Sequence, residues 1–103
     1  MHPKLAAKLP EIQHACSAFP VKRVRLFGSA LNPDPLSWFN DVDVVVELED
    51  DPDPQRRFDC FFDLPRALQA VVHRPVDYHE WHALRKPALR ATIEATAEVL
   101  YAA

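Results

Sequence analysis

Asp41 and Asp43 stand two residues apart at the head of an apolar run, Asp41-Val42-Asp43-Val44-Val45-Val46-Glu47-Leu48. Successive side chains of an extended strand alternate between faces, so both carboxylates project from one face with Cα atoms roughly 6 to 7 Å apart. Two negative charges that close repel by ~2.5 kcal/mol at an effective dielectric of about 20. Aspartate is also a poor strand former, so the pair contributes nothing to the strand and calls for a compensating cation. A hard divalent ion such as Mg²⁺ suits it, because that ion takes a few carboxylate oxygens together with waters and substrate phosphates. Two such ions ~3.5 to 4 Å apart can be bridged by one pair. The tripeptide alone is common, and taken alone it reads as a loop end followed by a water-facing strand residue.

Gly28-Ser29 changes that balance. It is the only glycine of the chain, and it follows the apolar run Val21–Phe27 directly. A glycine there permits a tight turn and close approach of the backbone to a ligand. The turn would offer backbone N–H groups and the Ser29 hydroxyl to a phosphate, as helix N-termini and backbone nests do. Eleven residues, Ala30–Asn40, separate this turn from the aspartate pair.

The elements that must position these groups follow from the hydrophobic pattern. Leu5, Leu9, Ile12 and Cys16 lie on one face of a helix that Pro10 bends or splits, and Pro20 ends the segment. Val21–Phe27 is β-branched and aromatic enough to be a strand. Residues 30–40 carry two prolines and two asparagines and predict a loop with at most a short helix. In the strand 41–48, Val42, Val44, Val46 and Leu48 face a core, while Asp41, Asp43, Val45 and Glu47 share the other face. An acidic, proline-rich connection, 50–54, leads to a helix marked by Phe58, Phe61, Leu64, Leu68 and Val71, with Pro65 kinking it or starting a second helix. Pro75–Tyr78 predicts a short third strand. Pro87 suits a first helical turn, with Leu89, Ile93, Ala97 and Leu100 on one side of a C-terminal helix. The order implies an α/β (α+β) layer: a small mixed sheet of three to four strands with helices packed on it.

Composition bounds the rest. A chain of 103 residues with 49% hydrophobic content supports one domain, residues 1–103, around one core. Its formal charge of −3 comes from 15 acidic and 12 basic residues mixed along the chain, so there is no broad basic field for a nucleic-acid backbone. Direct nucleic-acid binding is therefore not expected. Cys16 and Cys60 sit in apolar helical patterns without zinc spacing and read as buried reduced thiols. No apolar run approaches the ~18 residues of a membrane span, so the expectation is a cytoplasmic protein without membrane contact. His79-Glu80-Trp81-His82 lacks the spacing of a zinc-protease helix and reads as a surface segment after the third strand. Lys22, Arg23, Arg25, Arg56 and Arg57 read as solvated charges, with Arg25 near enough to Ser29 to be considered as an anion contact. Trp38, Tyr78 and Trp81 read as packing residues near strand ends rather than base-stacking ones.

Taken together, Val24-Arg25-Leu26-Phe27-Gly28-Ser29-Ala30 followed by Asn40-Asp41-Val42-Asp43-Val44-Val45-Val46-Glu47 resembles the minimal nucleotidyltransferases (MNT domains) of the DNA polymerase β-like superfamily. Arg74-Pro75-Val76-Asp77-Tyr78 resembles the family's third-carboxylate strand, and Pro87–Tyr101 its closing helix. The resemblance implies that Gly28 and Ser29 grip the triphosphate of ATP. It further implies that Asp41, Asp43 and Asp77 hold two Mg²⁺ ions and that an acceptor hydroxyl attacks the α-phosphate. Asp77 is then the candidate to assist deprotonation. Family members commonly carry an Ala-Arg-Gly-like segment after Gly-Ser, where this chain has Leu31-Asn32-Pro33-Asp34-Pro35. So small a chain has little room for an acceptor-binding domain, which implies that the acceptor arrives on another protein. The pattern is closest to antitoxins of the MntA type, encoded beside HEPN-domain RNase toxins. Some of these transfer AMP from ATP to a toxin tyrosine, and the expected assembly is a hetero-oligomer with the toxin. A module that neutralises such a toxin by contact alone is the second reading, and transfer to a small molecule the third.

Overall fold

A computed structural model describes residues 1–50 and 53–103; the middle of the acidic connection, residues 51–52, lies outside the described residues. The N-terminal helical segment is split, as its proline suggests. α1 spans Pro3–Ala6 and α2 spans Leu9–Cys16, with Pro10 in the first turn of α2, where its missing N–H costs nothing. β1 follows at Val21–Phe27, then a single 3-10 turn at Gly28–Leu31 and an irregular loop. β2 runs Val42–Leu48, so Asp41 immediately precedes the strand. α3 covers Pro54–Val72, capped at its start by the Asp53 carboxylate, which accepts from the Gln55 N–H. It runs unbroken through Pro65. β3 is Val76–Glu80, starting one residue later and ending two residues later than the pattern suggested, and α4 is Pro87–Thr96.

The chain then departs from its sequence pattern. Ala97 leaves the helix with φ −64° and ψ 144°, and Glu98–Ala102 forms a fourth strand, β4, rather than the last turns of a helix. Leu100 is therefore a strand residue. Its helical spacing from Leu89 and Ile93 is overridden because β1 would otherwise present an unpaired edge, and the Val99-Leu100-Tyr101 stretch pairs with it.

The sheet order is β3-β2-β1-β4, with β1 antiparallel to both neighbours and β2 parallel to β3. The parallel pair is joined by α3 as the crossover helix. Val24, Leu26, Val42, Val44, Val46 and Leu48 turn to one side of the sheet and meet Ile12 and Cys16 of α2 and Cys60, Leu64 and Leu68 of α3 in a continuous buried core. Both cysteines are buried and free, with Cys60 Sγ 3.7 Å from the Tyr78 hydroxyl. The opposite side of the sheet carries Arg25, Phe27, Asp43, Val45, Glu47, Asp77 and His79, with Phe27, Asp43 and Asp77 side by side in the register.

Candidate active site

Register decides which carboxylates meet. β2 and β3 pair in parallel with Asp43 directly beside Asp77, and β1 pairs with β2 so that Phe27 lies beside Asp43. The end of β1 and the starts of β2 and β3 thus fall at one edge of the sheet, and Gly28-Ser29 emerges there. Gly28 has φ 79°, in the left-handed region that side chains avoid. A Cβ on it would lie 2.5 Å from Asp43 Oδ2. The turn is therefore folded directly onto the Asp43 carboxylate, and glycine is required twice over, by its backbone conformation and by this contact. Ser29 is exposed in the first turn after the strand.

The electrostatics match the geometry. Burial holds the Asp43 carboxyl above the ordinary aspartate range; the charge of Asp77 and a hydrogen bond shared with it push the same way, His79 opposes them, and Asp41 adds to the rise. Two adjacent carboxylates with no cation between them behave so. Among the described residues no three His, Cys, Asp or Glu side chains converge as a metal-holding group. Asp43 and Asp77 are brought together, and Asp41 stands two residues away at the mouth. As a donor set, hard carboxylate oxygens with unrelieved mutual repulsion fit Mg²⁺.

His79, read from sequence as part of a surface segment, is in β3 on the carboxylate side. Its Nε2 lies 4.0 Å from Asp43 Oδ1, and its ring meets Phe27 edge-on at 5.3 Å between centroids. The period-2 spacing from Asp77 was the signal that could have found it.

Arg25 is not an anion contact beside Ser29. It is buried on the carboxylate side of the sheet, 3.2 Å from Glu47 Oε1 and 3.7 Å from Glu94 Oε1, with its guanidinium 4.7 Å over the Trp81 ring. Arg90 of α4 covers the same ring at 4.1 Å and donates to the carbonyls of Trp81 and Leu84. Arg23 also pairs with Glu47, and Arg57 with Glu80. Trp81 and α4 thereby close the far half of this side over Val45 and Ile93, leaving the edge with Asp41, Asp43 and Asp77 open. Tyr78 packs against Phe61, whereas Trp38 is 74% exposed with Arg74 5.5 Å from its ring, so it does not pack into the core.

His2 secures the opposite wall. It is buried, its N–H donates to Ala30 O at 2.9 Å, its Nδ1 accepts from the Lys4 N–H, and its Nε2 reaches Ser37 O at 3.3 Å. The His2 backbone N–H thus ties the 3-10 turn to the start of α1, and its ring ties the loop before Asp41 to the same place. A lone His in a polar N-terminus gave no sign of it.

Comparison with known proteins follows the same lines. The family described as nucleotidyltransferase domain matches residues 11–100. No curated protein matches. Among solved structures, one provisionally described as a minimal nucleotidyltransferase superposes with a TM-score of 0.69 at 24% identity, covering 95% of each chain. A chain of a toxin–antitoxin complex with AMP-PNP gives a TM-score of 0.64 at 18% identity over 92% of this chain and 73% of that one. A complex of the tri-AMPylated Shewanella oneidensis HEPN toxin with its MNT antitoxin gives 0.61 at 17% identity, over 95% and 72%.

Proposed function

From the premise that this chain belongs to the nucleotidyltransferase domain family, we propose that it transfers AMP from ATP to a hydroxyl, that of a tyrosine, on a HEPN-family RNase toxin and so acts as its antitoxin. The observation that carries this reading is the Gly28-Ser29 turn folded onto Asp43, with Asp77 beside it on the next strand. Gly28 and Ser29 bind the donor phosphates through backbone N–H groups and a hydroxyl. Asp41, Asp43 and Asp77 would hold two Mg²⁺ ions, which when bound neutralise phosphate charge and lower the pKa of the acceptor hydroxyl. Asp77 is exposed on the edge strand β3, where an acceptor from another protein can reach it and surrender its proton. In-line attack on the α-phosphate then joins the acceptor oxygen to AMP and releases pyrophosphate. The likeness to chains from toxin–antitoxin complexes supports a toxin as the acceptor.

The test is transfer of labelled AMP from ATP and Mg²⁺ to purified HEPN toxin, with Asp43→Asn as the control. Labelled toxin that loses RNase activity, absent with the variant, supports the proposal; unlabelled toxin in every reaction refutes it. One observation favours neutralisation by contact alone: no arginine follows Ser29 in the 3-10 turn or its loop, so a side chain that could contact phosphate or acceptor there is missing. Under that reading Asp43→Asn still protects cells from the toxin.

A further inference from the structure

The outward face of α3 carries aromatic surface that neither the core nor the candidate active site uses. Phe58, Phe61 and Phe62 are 59%, 55% and 45% exposed, and their rings touch: Phe58 and Phe62 lie 5.0 Å apart, Phe61 and Phe62 5.1 Å. Three contiguous exposed phenylalanines exceed the single exposed apolar residues normal for a monomer surface. The charges beside them are ordered. Asp59, Phe62 and Arg66 are at i, i+3 and i+7, one stripe of the helix, with opposite charges at its two ends and an aromatic at its centre.

We propose that this face pairs with the same face of a second copy of the chain, α3 against α3, antiparallel about a two-fold axis at Phe62. A two-fold contact requires a surface complementary to itself. Reversing the stripe acid–aromatic–base places base opposite acid, so Asp59 of each chain meets Arg66 of the other while Phe62 stacks on its own symmetry mate. Among the described residues Asp59 is exposed and shares only a hydrogen bond with Gln55, and Arg66 is exposed, so both can face a partner. Phe58 and Phe61 then fill the flanks. The carboxylate edge lies on the opposite side of the sheet from α3, so pairing leaves it open.

Sedimentation equilibrium at rising concentration tests this on the full chain. The wild type is expected to move from 11.8 kDa toward twice that mass. Asp59→Arg and Arg66→Asp each place like charges together and should weaken pairing about tenfold or more. Mixing the two variants regenerates both opposite-charge pairs and should restore the dimer as a mixed species, which a merely destabilised fold would not do. Circular dichroism checks that each variant stays folded. A wild type that remains monomeric at millimolar concentration overturns the proposal, as does a mixture that fails to pair. A monomer that instead binds a different protein through an intact Phe62 likewise overturns it.

Discussion

Gly28→Ala probes the joint between the Gly28-Ser29 turn and the Asp43 carboxylate. Two separable costs are expected. Holding a residue with a side chain at φ 79° costs about 1 to 2 kcal/mol. The new Cβ, 2.5 Å from Asp43 Oδ2, must in addition expel the carboxylate from its place. That overlap adds on the order of 1 kcal/mol, as overpacking does elsewhere. Together they amount to ~2 to 3 kcal/mol, and for a domain of this size each kcal/mol lowers Tm by about 4 to 8 °C. Asp43→Ala isolates the second cost. It removes the oxygen at 2.5 Å and the carbon at 3.4 Å, leaving only Asp43 Cβ at 3.6 Å, an ordinary contact. Urea denaturation of the two single variants and the double variant should therefore give a coupling of about 1 kcal/mol, with Gly28→Ala milder in the Asp43→Ala background. Thermal-shift titration with ATP and Mg²⁺ should show the ligand response lost in all three. Equal cost of Gly28→Ala in both backgrounds would show that the turn does not rest on Asp43 and would refute the reasoning.

Asp43→Asn removes a carboxylate that burial first, and the neighbouring Asp77 charge second, hold above its ordinary range. A raised carboxyl pKa costs stability above that pKa, so without Mg²⁺ the variant should match or exceed wild-type Tm near neutral pH, by up to ~1 kcal/mol given its partial exposure. AMP transfer should be lost at the same time. Burial raises the Glu47 carboxyl, but the hydrogen bond and charge of Arg23, with Arg25 behind them, outweigh it and leave the folded value lowered. Its stabilisation is then present above the unfolded value of about 4.3 and lost as pH falls through the folded one. Glu47→Gln should be less stable than wild type at pH 7, with the gap closing in acid, as denaturant midpoints across pH will show. Arg25→Ala leaves Glu47 half-paired and Trp81 uncovered on one side, and about 3 kcal/mol of stability should be lost in urea titration. Leu100→Ala should cost ~2 to 4 kcal/mol, because Leu100 is buried in the β4 contribution to the core.

The sequence by itself determined the alternation of β2 that turns Val42, Val44, Val46 and Leu48 to the core and Asp43 to the other face, and the glycine that turns the chain after β1. These are properties of two-residue periodicity and of a missing Cβ, and both act within a few residues. It also determined the split at Pro10 and the burial of both cysteines, since proline geometry and apolar spacing are equally local. Only the tertiary structure decided that Asp77 lies beside Asp43, because a parallel register is set by how α3 crosses the sheet. It alone converted the end of a helical pattern into β4, because an open strand edge demands hydrogen bonds that no local spacing records. His79 joined the carboxylates and Arg25 left the surface for the same reason. A side chain's face is legible along its own strand, but what covers that face depends on segments far away in sequence, here Trp81, Arg90 and Glu94.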